Sequence, residues 1–157
     1  KMLLYLVSVL LLMTAAISSC KKDPCKNTPC SAGGTCTDGT CMCDSIHYGT
    51  DCSNEKRAMY LGSYVGSLSC NSNTHLDYLI VSADSATAGG LKFRNLYSDE
   101  VTIKGSLMAD STVTIPSQQA GGYTVSGRAQ FINQMMVVNF TITEAGTTDV
   151  CTWTQKW

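Results

Sequence analysis

Cysteine is the residue type with the most obvious chemistry in this chain, and its distribution is uneven. Seven of the nine cysteines lie between Cys20 and Cys52. The six that follow Cys20 stand among Gly, Pro, Thr, Asp and Asn, with little apolar material from which to build a core. We therefore expect covalent cross-links, rather than hydrophobic burial, to hold this stretch together. The six are Cys25, Cys30, Cys36, Cys41, Cys43 and Cys52.

Zinc coordination is the main alternative to disulfide bonding for closely spaced cysteines. Structural zinc sites use paired Cys-x-x-Cys spacing or added histidines, whereas this chain has no such pair and only two histidines, His47 and His75. Disulfides instead indicate an oxidising compartment. Six cysteines allow 15 pairings, and their spacing alone does not choose among them. We expect disulfides, with no metal and no cofactor.

The charge balance of the chain does not indicate a highly charged partner. The 157-residue chain has a formal net charge of -1 and 15% charged residues, and neither sign forms a block. This balance gives no reason to expect binding to nucleic acid. The length allows one or two small domains.

The first 19 residues have the pattern of a secretory signal peptide. Lys1 precedes an apolar run from Met2 to Met13, and small residues follow. The apolar run is shorter than the ~20 residues that a transmembrane helix needs, so we favour a cleaved signal over a membrane span. Because the chain begins with Lys rather than Met, we also expect one or more residues to precede it.

The segment Ile17-Ser18-Ser19-Cys20 resembles the lipobox of bacterial lipoproteins. That resemblance implies cleavage after Ser19 and lipidation of Cys20, including acyl chains such as palmitate. Several acyl chains give durable anchoring where one does not. An Asp directly after the lipidated cysteine resembles a signal that retains lipoproteins in the inner membrane. Here Lys21 follows Cys20, which favours the outer membrane. Both a periplasmic and a surface-exposed orientation fit the sequence. An ordinary unpaired cysteine beside the cleavage site is the alternative.

Residues 25–52 resemble an EGF-like module. Cys41-Met42-Cys43, then Gly49 and Cys52, match the C-terminal signature of that family, and Tyr48 fills its aromatic position. Asp38-Gly39 between Cys36 and Cys41 is a hairpin turn signal. The resemblance implies the pairs Cys25–Cys36, Cys30–Cys41 and Cys43–Cys52. The acidic residues that calcium-binding members carry before the first cysteine are missing, so we expect no calcium site.

The rest of the chain alternates apolar and polar residues, which predicts β-strands with one buried face. Turn-forming residues such as Ala88-Gly89-Gly90 and Gly121-Gly122 separate the alternating runs. About eight short strands follow, and short connections favour an antiparallel meander. The apolar members of the runs are Leu76, Tyr78, Ile80, Leu91, Phe93, Tyr97, Val101, Ile103, Leu107, Val113, Ile115, Tyr123, Val125, Met136, Val138, Phe140 and Ile142.

The predicted fold class is therefore mainly β: a small disulfide-rich module followed by a closed barrel or, alternatively, a sandwich. Closure removes the exposed edges of an open sheet. Cys70 and Cys151 are the two cysteines left over, and we expect Cys70 to end the first strand of the meander and Cys151 to begin the last. A Cys70–Cys151 disulfide would join strands that closure places side by side, whereas two free thiols are the alternative.

The second domain resembles the lipocalin-like group through the short and unspecific motif Gly62-Ser63-Tyr64-Val65-Gly66. A barrel of such short strands is expected to be filled by its own side chains. His75 and Asp77 are close in sequence, but no particular serine completes a catalytic triad. The aromatic residues that could form a binding surface are Tyr60, Tyr64, Tyr123, Trp153 and Trp157.

These patterns predict a non-enzymatic lipoprotein of the bacterial outer membrane, with a binding or adhesion domain carried on an EGF-like spacer. A lipocalin-like carrier of a small apolar ligand and an enzyme inhibitor are the alternatives. The expected partners are the membrane, through the lipid anchor, and a protein, glycan or small apolar ligand. The expected segments are a signal peptide at 1–19, a lipidated tether at 20–24, the EGF-like module at 25–52, a linker at 53–57 and the barrel at 58–157.

Overall fold

The computed structural model describes residues 22–98 and 101–156. The lipobox, Cys20 and Trp157 therefore lie outside the described residues. The described chain forms a small disulfide-linked module followed by a closed eight-stranded barrel.

The module consists of two short antiparallel pairs held by three disulfides. Strands β1 (Gly34–Thr37) and β2 (Thr40–Cys43) form a hairpin, and β3 (His47–Tyr48) pairs with β4 (Asn54–Glu55). Asp38 and Gly39 both have positive φ, as a two-residue type I′ turn requires. The disulfides are Cys25–Cys36, Cys30–Cys41 and Cys43–Cys52, the pairs that the EGF-like resemblance implies.

The barrel is an antiparallel meander of eight strands. They are β5 (Gly62–Cys70), β6 (Asn73–Ala83), β7 (Gly90–Arg94), β8 (Thr102–Leu107), β9 (Val113–Ala120), β10 (Tyr123–Ile132), β11 (Met135–Glu144) and β12 (Thr147–Gln155). Consecutive strands are neighbours, and β12 returns to pair with β5. This confirms the closed barrel and excludes the sandwich, since closure leaves no sheet edge unpaired.

A fourth disulfide closes the barrel. Cys151 lies directly opposite Cys70 in the β12–β5 register, and their Cα atoms are 4.1 Å apart. Cys70 ends its strand as expected, whereas Cys151 lies in the middle of β12 rather than at its start. The bond therefore joins the first and last strands of the meander near one end of their shared ladder.

The barrel interior is filled by its own side chains. Every strand contributes buried apolar residues to one continuous cluster, including Leu79, Phe93, Met136 and Trp153. The indole of Trp153 lies against Gly66 on the neighbouring strand, where a β-carbon would overlap the ring. A small eight-stranded barrel has room for this packing and little more.

In β6 the buried face is the opposite of the one that the sequence pattern predicts. In β6, Leu76 and Tyr78 are 68% and 49% exposed, whereas Leu79 and Val81 are buried. Both faces of β6 carry apolar residues, so the sequence pattern does not decide which face is buried. A shift of one residue in the pairing register moves every side chain of the strand to the other face. Pairing with β5, which sets Leu79 opposite Tyr64, decides which face turns inward.

A 3₁₀ helix, Lys56–Tyr60, closes the end of the barrel nearest the module. Tyr60 is fully buried; its hydroxyl donates a hydrogen bond to the Ser111 carbonyl oxygen at 2.6 Å. Its ring centroid lies 5.0 Å from that of Phe131. Residues 53–57, expected to be a linker, instead contain β4 and the start of this helix.

The module is fixed to the same end. Ile46 packs against the barrel core beside Gly89 in the β6–β7 loop. Arg57 forms an ion pair with Glu55 and donates hydrogen bonds to the carbonyl oxygens of Asp84 and Gly90, each at 3.2 Å. These contacts join β4 of the module to the β6–β7 loop of the barrel.

Burial of Tyr60 predicts a loss of stability in alkali. Burial, more than the nearby charge of Asp110, raises the pKa of Tyr60 from 10.0 to about 12. The folded state therefore holds the phenol proton more tightly than the unfolded state. This contribution, about 2 to 3 kcal/mol, is complete below pH 10 and is lost as the pH rises from 10 to 12.

Urea unfolding measured from pH 8 to pH 12 tests this expectation. Tyr60→Phe should weaken the decline in unfolding free energy above pH 10, while Tyr48→Phe, at an exposed tyrosine of the module, should leave the decline unchanged. An equal decline in wild type and Tyr60→Phe would show that Tyr60 is not its source.

Candidate functional site: the distal mouth of the barrel

The end of the barrel away from the module contains a pocket. It is lined by Tyr97, Ile142, Glu144, Ala145, Thr147 and Asp149 and has a volume of about 260 Å³. We call these six residues the mouth pocket. Because the 3₁₀ helix and the module occupy the other end, this end of the barrel is free of both.

The β11–β12 hairpin supplies five of the six residues. Its two-residue turn, Ala145-Gly146, has positive φ at both positions and so fits a type I′ turn. In the register of the hairpin, Glu144 lies opposite Thr147 and Ile142 lies opposite Asp149. Residues two apart share a face, so Glu144 and Asp149 continue the inward face of the buried residues Ile142 and Cys151.

Tyr97 lies in the loop that follows β7 (Gly90–Arg94), a strand four positions away from β11 in the barrel order. It reaches the hairpin because Asn95 fixes the chain that follows β7. Asn95 is 5% exposed, has a positive φ and donates hydrogen bonds to Asp77 Oδ1 at 3.1 Å and to the Tyr78 carbonyl oxygen at 2.8 Å. Leu96 is fully buried. Tyr97 therefore lies across the mouth from β7, the strand that precedes it.

A second aromatic ring supports Tyr97. The ring of Tyr123, the first residue of β10, lies 5.5 Å from that of Tyr97 in an edge-to-face arrangement. Such pairs are preferred over face-to-face stacking. The pair holds the Tyr97 ring at the pocket beside the apolar side chain of Ile142.

Asn71 positions the carboxylate of Asp149. Asn71 occupies the β5–β6 turn with a φ of 51°. Its side-chain amide donates to Asp149 Oδ1 at 2.6 Å, and its backbone N–H donates to the Val150 carbonyl oxygen at 3.1 Å. These bonds lie next to the Cys70–Cys151 disulfide. Hydrogen bonds and a covalent bond therefore connect the first and last strands of the barrel at the mouth.

The electrostatic environment of the pocket is negative. Burial raises the pKa of Tyr97 above its usual value, and the negative charges of Asp149 and Glu144 raise it further. Both effects disfavour a tyrosinate at this position. None of the described residues that line the pocket is basic. The pocket therefore combines an aromatic ring, an apolar wall and two carboxylates.

The structure distributes the predicted aromatic residues differently from the expected binding surface. Tyr60 and Trp153 are fully buried, so both belong to the core, where their large apolar area is removed from water. Tyr64 is half-buried at the helix end, with its hydroxyl 3.4 Å from the Met59 carbonyl oxygen. Tyr123 alone among the described candidates lies at the mouth.

The residues of a possible catalytic or metal site are dispersed. His75 is exposed on β6, while Asp77 Oδ1 accepts a hydrogen bond from Asn95. Within residues 22–98 and 101–156, no group of three or more His, Cys, Asp or Glu side chains is arranged to hold a metal ion.

Two further findings concern membrane-spanning helices and similarity to known proteins. Among the described residues, no helix has the length and apolar character needed to cross a bilayer. Comparison with protein-family models, with curated proteins and with solved structures finds no match to this chain.

Proposed function

We propose that the protein is a non-enzymatic lipoprotein of the bacterial outer membrane, anchored through Cys20, whose barrel binds a partner at the distal mouth. The observation that carries this proposal is the placement of the module and the 3₁₀ helix at one end of the barrel and of the pocket at the other. The EGF-like module then acts as a spacer between the membrane and the binding domain.

The length of the tether supports a position close to the membrane. The first cross-linked residue of the module is Cys25, five residues after Cys20. Five residues span at most ~18 Å, so a lipid on Cys20 would hold the module close to the bilayer surface.

The length of the barrel supports a binding end that faces away from the membrane. Strands β10 and β11 each contain ten residues. At ~3.3 Å per residue and a tilt of ~40°, they span roughly 25 Å along the barrel axis. The mouth pocket would therefore stand well clear of the lipid headgroups.

The packed interior bears on the lipocalin-like alternative. A carrier of an apolar ligand needs an internal cavity, and such pockets usually have volumes of ≈ 300–1,000 Å³ lined mainly by apolar side chains. Here the inward-facing residues fill the barrel, and the space at the mouth is small and acidic. Binding at the rim is therefore better supported than transport within the barrel.

Lipid anchoring predicts that Cys20→Ser moves the protein from the membrane fraction to the soluble fraction of fractionated cells. The reason is that several acyl chains, at about 0.8 kcal/mol for each buried methylene, supply the membrane affinity. Metabolic labelling with an alkyne fatty acid should mark the wild type and not Cys20→Ser. Lys22→Ala, which leaves the lipobox intact, is the control. Full membrane retention of Cys20→Ser, with the signal peptide cleaved, would refute the anchor.

A further inference from the structure

We infer that the mouth pocket binds an aliphatic primary ammonium group, presented either by a lysine side chain or by a free alkylamine. This inference rests on the proposed function, because it names the chemistry recognised at the same end of the barrel. It is carried by the union of a cavity, an aromatic ring, an apolar wall and two carboxylates in one place.

The size of the pocket selects a side-chain-sized group. Its volume of about 260 Å³ falls below the range that usually holds a whole drug-sized ligand. A chain of four or five methylenes ending in a single polar head fits that volume. The buried side chain of Ile142 gives the methylenes an apolar contact, so the polar head is left for the rim.

The charge of the pocket selects a cation. Glu144 and Asp149 both line it, and no basic side chain among the described lining residues neutralises them. The Asn71 amide contacts Oδ1 of Asp149 without removing its charge. Since an anion would be repelled and a neutral group would gain no electrostatic attraction, an ammonium head is favoured.

The aromatic pair adds a third source of selectivity. Tyr97 lines the pocket and is held there by its edge-to-face contact with Tyr123. A cation near the face of a tyrosine ring is attracted by the quadrupole of the ring. Burial contributes most to the raised pKa of Tyr97, and the negative charges of Asp149 and Glu144, which raise it further, are the charges that attract a cation.

The test is a titration of the full-length protein, purified in a neutral detergent and labelled with ¹⁵N, with n-butylammonium chloride. We expect amide shifts centred on Tyr97, Tyr123, Ile142, Thr147 and Asp149. n-Butanol and sodium butyrate, which have the same alkyl chain with a neutral or negative head, should give no such shifts. Equal shifts with n-butanol would overturn the inference, as would shifts centred elsewhere in the protein.

Variants test the role of each group. Glu144→Gln/Asp149→Asn should weaken butylammonium binding at least tenfold, because most of the electrostatic attraction is removed. Tyr97→Leu should weaken it about 3- to 30-fold through loss of the cation–π contact. Asp23→Asn/Asp38→Asn makes the same charge change at exposed positions of the module and should have little effect. Unchanged affinity in the Glu144/Asp149 variant would overturn the inference.

Two further measurements keep the outcome decisive if that variant fails to fold. Binding to the wild type should weaken as sodium chloride is raised from 50 mM to 500 mM, and salt-independent binding would contradict the electrostatic basis. Titration with Nα-acetyl-lysine methylamide and with 1,5-diaminopentane distinguishes a lysine side chain from a free amine. If no ammonium compound binds while partner contact at the mouth persists in cells, the inference fails and the proposed function stands.

Discussion

Replacing both cysteines of the Cys70–Cys151 disulfide with alanine is expected to lower the free energy of unfolding by about 4.5 kcal/mol. The bond links residues 81 positions apart. Cross-linking a loop of that length restricts the unfolded chain, and the chain-entropy relation gives this magnitude at 25 °C. For a domain of this size, the melting temperature should fall by roughly 20 °C.

The loss should be specific to the covalent bond. Ser69 and Thr152 are the next directly opposed pair in the same β5–β12 ladder. Ser69→Ala/Thr152→Ala breaks no covalent bond in the same two strands and removes only the exposed hydrogen bonds of Ser69 with Thr74 and of Thr152 with Asn139. We therefore expect a smaller change, of about 1 to 2 kcal/mol. Urea unfolding followed by tryptophan fluorescence measures both variants. A Cys70→Ala/Cys151→Ala protein as stable as the control would show that closure does not depend on the disulfide.

The same bond connects stability to the proposed site. Asn71 follows Cys70, and its amide holds Asp149, two residues before Cys151. The disulfide therefore fixes β5 and β12, the two strands beside which Asn71 positions the Asp149 carboxylate. Loosening this junction should lower binding at the mouth before the barrel unfolds.

Much of the fold could be predicted because most strands are apolar on one face only. Met136, Val138, Phe140 and Ile142 of β11 are all buried, as their alternation indicates. The Asp38-Gly39 turn also follows from local chemistry, since these residues tolerate positive φ. Closure followed from the need to leave no open edge.

The errors arise where the sequence is ambiguous or the contact is distant. Apolar residues occupy both faces of β6, so only its pairing with β5 turns Leu79 inward. Tyr60 lies in a five-residue 3₁₀ helix, too short for a periodic pattern that would reveal its burial. Its partners, Ser111 and Phe131, are more than 50 residues away.

The candidate site was missed for the same reason. Glu144 and Asp149 flank the Ala145-Gly146 turn and look like the ordinary polar ends of a hairpin. Tyr97 has the pattern of a strand residue, yet it crosses the mouth because Asn95 is bound to Asp77 and Tyr78. The local signal for this bend is the asparagine at position 95, because asparagine adopts the left-handed conformation found there more readily than most residues.

The second prediction with a large expected effect concerns where the partner touches the protein. If the distal mouth is the binding end, a photo-cross-linking amino acid at Thr147 should be joined to a partner in intact cells. Thr147 lies on the rim of the mouth pocket, whereas Ser85 lies in the exposed β6–β7 loop at the module end. Both are small, polar and exposed, so they form a matched pair of positions.

The most direct test of the account is therefore site-specific photo-cross-linking of the full-length protein in intact cells, from Thr147 and from Ser85 in parallel. The account predicts a discrete light-dependent adduct from Thr147 that Glu144→Gln/Asp149→Asn weakens, and no adduct from Ser85. An adduct from Ser85 with none from Thr147 would contradict it.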